Sequence, residues 1–364
     1  MSLRVFLNMS SKAPLAARRL FSSAGITRGP GGRASAGPST VTVFGSTGQL
    51  GRYVVTELAK RGNTVVVPYR GDDMEWRHLK VAGDLGRVIP VPYSVRDMTS
   101  VKDALQYSDK AINLIGKFWE TQHVFGPFTP NYTLYDVNVT AAETIAKACN
   151  DMGTDHLVHV SALAANEESG SEWARTKAYG EKSVRRIKGD ATIVRLGQLF
   201  GQEDNWLNLF AYLCRTRVPG VGPFVVNGGS NKVQPLWAPD AGEAIAAAAL
   251  LDETAKGLTY HVAGCEVFTQ KEVLDFVIDC IQTEAPVKDI SSMRAEIMGG
   301  IYEQMPDAVK MTRDTIRLMQ EEVVCDARYG EKTIADLGVE PRKMSREAFN
   351  FLIRFRQGGH FIEL

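Results

Sequence analysis

From residue 41 onward, short apolar runs alternate with stretches of helical periodicity. Val41–Phe44 reads as a buried parallel strand. Tyr53, Val54 and Leu58 recur at helical spacing, Gly62-Asn63 stops the helix, and Thr64–Pro68 reads as a second strand. Further strand-like runs follow at Val88–Tyr93, Ala111–Ile115, His156–Ser161, Ala191–Leu196 and Leu258–Ala263, each separated from the next by helical segments. This alternation predicts an α/β fold with a doubly wound parallel sheet. Gly/Pro-rich residues 218–232 interrupt it as one long loop. After about residue 266 the rhythm stops, and 270–283, 303–323 and 344–356 read as helices. The expected organisation is an α/β domain over 41–265 and a smaller, mostly helical C-terminal docking region over 266–364.

The first strand runs into "FGSTGQLGRYVV", where Gly45, Gly48 and Gly51 are spaced GxxGxxG. A glycine triplet is weak by itself. Placed after a strand, before a helix and ahead of a second strand, it predicts a Rossmann dinucleotide site. A pyrophosphate must approach free N–H groups at the helix N-terminus, and the third glycine lets helix and strand pack closely. The second strand ends Val67-Pro68-Tyr69-Arg70, with no acid before Asp72. A carboxylate there would accept ribose hydroxyls, whereas arginine pairs with a 2′-phosphate, so NADPH is expected over NADH. The other reading of Arg70 is a solvated loop charge.

Composition narrows the function. Formal net charge is zero, which gives no bulk attraction to nucleic acid. No apolar run reaches the roughly 18 residues of a membrane span. Five cysteines without CxxC argue against a disulfide framework or zinc site, and the six histidines form no HExxH, so no metal is expected. Residues 1–40 contain no Asp or Glu but six basic residues, the composition of a mitochondrial transit peptide. Arg19-Leu20-Phe21 resembles a processing site with cleavage after Phe21; a basic tail without targeting function is the alternative.

The candidate chemistry lies in "SEWARTKAYGEK", residues 171–182. A short-chain dehydrogenase needs Tyr and Lys four apart on one helix face, the lysine holding the ribose and the phenol exchanging a proton. Lys177 is in place, but Trp173 holds the tyrosine position, and an indole is no general acid near neutral pH. None of the eleven tyrosines has lysine four residues on. Tyr179, two residues past Lys177, lies about 200° around the helix axis. Ser161 can orient a carbonyl but supplies no proton.

Gly45, Gly48 and Gly51, Asn113, Asn138, Ser161 and Lys177 stand in the order of an extended or atypical short-chain dehydrogenase/reductase, and "IVRLGQLFGQED" resembles its strand-six motif, with Leu196 where proline is common. "VVVPYRGDD", "INLIGKFWET", "VRLGQLFGQEDNWLN", "VQPLWAPD" and "MTRDTIRLMQEE" resemble one branch more closely: the dehydrogenase-like accessory subunits of mitochondrial complex I (NADH:ubiquinone oxidoreductase). The resemblance implies a Rossmann domain holding NADPH permanently, outside the electron path. It would be docked with other complex I subunits where the matrix arm meets the membrane arm, peripheral on the matrix side of the inner membrane, with lipid contact a further expectation. The implied cofactor set is Gly45, Ser46, Thr47, Gly48, Gln49, Leu50, Gly51, Arg70, Ser94, Leu114, Ile115, Ser161 and Lys177. Ser94 departs from the acid common at the end of strand three, and Asp97 is assigned to the next helix start. The competing reading is an active NADP-dependent reductase or epimerase with a substituted acid; a third is a scaffold that holds no nucleotide. Phe118, Trp119 and Phe125 either cover the nicotinamide or pack. Lys182, Arg185 and Arg186 read as a solvated face, and "FNFLIRFRQGGHFIEL" as a docking or membrane-surface segment.

Overall fold

The computed structural model describes residues 39–123, 126–216, 222–303, 310–325 and 332–356. The transit-peptide reading of residues 1–40 falls almost wholly outside them. Eight parallel strands form the main sheet: β1 (Thr40–Phe44), β2 (Thr64–Tyr69), β3 (Val88–Pro92), β4 (Lys110–Asn113), β5 (His156–Ala162), β6 (Thr192–Leu196), β7 (Thr259–Val262) and β8 (Lys332–Thr333). Their order is β8-β7-β6-β5-β4-β1-β2-β3. The chain reverses direction across the sheet between β1 and β4, so loops at their carboxyl ends diverge and open a crevice.

Helices cover both faces, and the inner strands β1, β4, β5 and β6 are buried on both. On one side α1 (Gln49–Lys60) sends Val54, Val55 and Leu58 into a core with Val41, Val43, Val65 and Val67. On the other, α2 (Met98–Leu105), α3 (Ala141–Met152) and α4 (Glu172–Ile187) pack Leu105, Ile145 and Val184 against Phe44, Ala111 and Leu157. Asp97 caps α2 by accepting from the Thr99 N–H, the role expected of it.

A second core joins segments far apart in sequence. Phe200, Trp206 and Phe210 pack with Val273 and Val277 of α7 (Gln270–Ile281) and with Met344 and Phe351 of α10 (Met344–Leu352). Between them come α5 (Leu207–Arg215), α6 (Ala238–Leu250), α8 (Ser292–Tyr302) and α9 (Arg313–Leu318). The two units interleave: Phe200, Phe210, Val225 and Val233 join the C-terminal helices, while β8 returns to pair with β7 in the main sheet. The boundary expected at 265 is therefore crossed in both directions.

Three local expectations differ from the structure. The single helix read over 303–323 is, among the described residues, only the short α9, and α8 ends just before that stretch at Tyr302. Thr312 starts α9 afresh by accepting from the Thr315 N–H, and Gly299 and Gly300 let the two helices meet closely. The loop read over 218–232 contains the strand Phe224–Val226, paired in parallel with Lys288–Ile290. The C-terminal docking segment is, in its described part, packed into this chain: Arg356 is buried and donates from Nε to the Cys280 carbonyl at 2.9 Å. Its last eight residues lie outside the described residues.

Candidate nucleotide-binding site

β1 turns into α1 at the crevice. Gly45 has φ +81°, and a Cβ there would meet the Leu114 carbonyl carbon at 3.1 Å and the Ile115 nitrogen at 3.2 Å, so only glycine fits the turn beneath β4. Gly48 is the N-cap of α1 and offers no side-chain acceptor, leaving the first-turn N–H groups aimed at the crevice. Gly51 packs against the loop: a Cβ there would lie 2.5 Å from the Gly45 carbonyl oxygen.

A cavity of about 290 Å³ runs from this loop. Gly45, Gly48, Gln49, Leu50, Gly51, Leu114, Ser161 and Lys177 all line it. Buried polar atoms without a protein hydrogen-bond partner include Ser46 Oγ, Gln49 Nε2, Asn138 Oδ1 and Ser161 Oγ. Such atoms cost free energy unless a ligand or water satisfies them. Glycine turn, uncapped helix N-terminus and orphaned polar groups together fit a nicotinamide dinucleotide.

Lys177 lies on α4 and is buried. Its Nζ sits beside Gly116, close enough that a Cβ there would be 2.8 Å away. Loss of solvent lowers its pKa to about 8, with Glu181 opposing the fall. Glu181 is engaged elsewhere: Arg195 grips it through Nε at 3.0 Å and Nη2 at 2.7 Å. Next to Lys177, His159 is held neutral, its pKa pushed to about 3 by burial and then by the lysine charge. Asn113 Nδ2 faces His159 Nδ1 at 3.2 Å, and its Oδ1 accepts from the Ile115 N–H. Asn138 sits in a π-helical turn that leads into α3, and its Nδ2 donates to Thr176 Oγ1 on α4.

The depressed lysine pKa fixes a sign. Between pH 8 and 10.5 the unfolded chain holds the Lys177 proton and the folded chain does not. Stability contributed by this group therefore rises with pH across that window. Nucleotide-free protein should show this rise in denaturant melts, relative to a Lys177→Met variant; equal pH slopes in the two proteins would contradict it.

Trp173 is buried in the cavity wall, stacked on Phe118 with ring centroids 4.8 Å apart and planes 19° apart. Phe118 therefore packs on the indole; Phe125 lies outside the described residues. Tyr179 is exposed. Beyond Trp173 the cavity is walled by Leu209, Phe210, Met311, Leu318 and Met319. The last three belong to the 310–325 segment, which also clasps the start of α4. The Asp314 carboxylate accepts from Ser171 Oγ at 2.9 Å, the Glu172 N–H at 2.6 Å and the Trp173 N–H at 3.0 Å. Glu321 accepts from Ser169 Oγ and the Gly170 N–H. Sequence reading missed this clasp because its halves are more than 140 residues apart.

Arg70 and Ser94 do not line the cavity. Both are exposed near the carboxyl ends of β2 and β3, on the side of the crevice away from Lys177. Ser94 is tied to Ser100 through backbone contacts. Lys182 and Arg186 form the expected solvated face of α4, paired with Glu167 and Glu143.

The profile of the RmlD substrate binding domain matches residues 39–298. The mitochondrial 40 kDa subunit of NADH-ubiquinone oxidoreductase from Neurospora crassa is 33% identical over 336 residues, covering 92% of this chain and 84% of that protein. Subunit 9 of the NADH dehydrogenase [ubiquinone] 1 alpha subcomplex from Arabidopsis thaliana is 34% identical over 342 residues, covering 91% and 82%. The chain belongs to this subunit 9 family. Solved structures show the fold that the family shares with nicotinamide-dependent proteins. The NADPH complex of an NADPH-dependent quinone oxidoreductase from Escherichia coli has a TM-score of 0.64 at 16% identity, covering 86% of this chain and 99% of that one. The structure of gox2253 has a TM-score of 0.65 at 17% identity, covering 89% and 99%. At such identities only the Rossmann-like architecture is shared. Within the subunit 9 family, then, this chain combines a glycine-turn crevice with a tryptophan–phenylalanine stack in the cavity wall.

Proposed function

We propose that the chain is an accessory subunit of mitochondrial complex I that holds NADPH as a structural cofactor and carries out no turnover. The observation that carries this reading is the split within α4: Lys177 is buried at the crevice, while Trp173 is stacked into the wall where a proton donor would stand. The phosphate loop, Gly45 to Gly51, would receive the pyrophosphate, Lys177 the nicotinamide ribose and Arg70 the 2′-phosphate, with Leu114, Ile115 and Ser161 along the groove. Ser94 would lie at the adenine end. When bound, the nucleotide supplies partners for the orphaned polar atoms, and this joins the loop, α1 and α4 into one body.

Residues 41–265 would form most of the nucleotide-holding part and 266–364 most of the docking part, apart from the segments that cross between the two units, with residues 1–40 removed on import. In this reading the subunit stabilises the matrix arm near its junction with the membrane arm, bound peripherally to the inner membrane from the matrix side. No helix among the described residues is long and apolar enough to cross a membrane, which accords with peripheral attachment. Native electrophoresis of mitochondrial membranes tests the reading. The chain should migrate with a large NADH-oxidising complex, and Trp173→Ala should leave quinone reduction by the assembled complex intact per complex. A chain that migrates alone, or a Trp173→Ala complex that assembles but loses hydride transfer, would favour an active reductase.

A further inference from the structure

The carboxyl ends of β2 and β3 hold two cations on one aromatic ring. The Arg70 guanidinium carbon lies 5.6 Å from the Tyr132 ring centroid, and that of Arg96 lies 4.0 Å from it. Arg96 is steadied by donating from Nη2 to the Asn131 carbonyl, which leaves the rest of its fork available. Both arginines are exposed. Among the described residues neither is held in an ion pair. Asp73 accepts from the Tyr69 hydroxyl and the Trp76 indole, Asp97 caps α2, and Ser94 carries no charge. Asp72 is exposed on the same turn.

Two like charges gathered on one ring are best satisfied by an anion that both can reach. A phosphate monoester carries close to two negative charges near neutral pH and accepts forked N–H donors, which suits two arginines better than one. We propose that Arg96 is a second ligand of the cofactor's 2′-phosphate, closing with Arg70 a clamp steadied by Tyr132 that selects phosphorylated over unphosphorylated adenosine. The inference rests on the NADPH reading and adds its specificity determinant. Arg96 comes from the β3–α2 connection, two residues past the position that sequence reading assigned to the adenine.

The test uses nucleotide-free full chain and two probes that undergo no redox chemistry, 2′,5′-ADP and 5′-AMP, titrated calorimetrically. Arg96→Gln should weaken 2′,5′-ADP by about 10- to 100-fold and leave 5′-AMP unchanged, the loss expected for a charged hydrogen-bonded contact. Arg96→Lys should recover part of the preference, and added salt should shrink it. Unchanged thermal melts keep the comparison free of folding effects, since Arg96 is exposed. If Arg70→Gln abolishes the preference while Arg96→Gln keeps it within twofold, the clamp is wrong and the NADPH reading stands. If the wild-type chain binds 5′-AMP as tightly as 2′,5′-ADP, both fall.

Discussion

Asp314→Ala should lower stability by about 3 kcal/mol and speed nucleotide loss, although residue 314 lies more than 130 positions from Lys177 in sequence. The Asp314 carboxylate accepts three hydrogen bonds at the start of α4, two of them from backbone N–H groups that the helix cannot satisfy itself. A lost helix cap costs roughly 1–2 kcal/mol, and leaving partly buried donors unpaired adds a similar amount. The negative charge also faces the positive end of the helix dipole. Because α4 carries both Trp173 and Lys177, loosening its first turns should be felt in the crevice. Thermal melts and the rate of NADPH release after dilution measure the two effects. Asp314→Asn keeps an acceptor oxygen and should fall between wild type and alanine. A destabilised variant with unchanged release would show that the clasp serves only the C-terminal segment.

Gly51→Val should abolish nucleotide retention. A Cβ at 51 would collide with backbone at Gly45 and Ser46, which no rotamer change relieves, so α1 must move off the loop that cradles phosphate. Overpacking of this kind costs about 1–3 kcal/mol or more, and here it falls on the geometry of the site itself. Gly86→Ala is the control. Gly86 has positive φ (+81°), unlike helical Gly51, but nothing lies within 4 Å of its added Cβ, so it should cost only about 1 kcal/mol and keep the nucleotide. Nucleotide content after gel filtration separates the two. Full retention by Gly51→Val would mean that the loop does not hold the cofactor.

The parallel sheet was legible because every strand but β8 is a short, mainly apolar run bounded by turn residues, and the glycine loop because its spacing is set by local backbone geometry. That Lys177 and Trp173 share one face of a helix followed from their four-residue spacing. What sequence could not supply was contact between distant segments. The two-residue strand β8 carries no periodic signal, yet it pairs with β7. Asp314 reads as an ordinary charge near a helix start until α4 is seen against it. Arg96 was hidden by an expectation of acid at the end of the third strand. Arg356 looked like part of a basic docking face, but its guanidinium is turned inward to the Cys280 carbonyl.

The central claim is that this chain holds NADPH permanently as a structural cofactor. The direct measurement is to purify the native complex, denature it and assay the released nucleotide enzymatically against the amount of this chain. The account predicts NADP(H) in near one-to-one amount, retained through purification without added cofactor. Release of NAD(H) alone, or of no nucleotide from fully assembled complex, would contradict it.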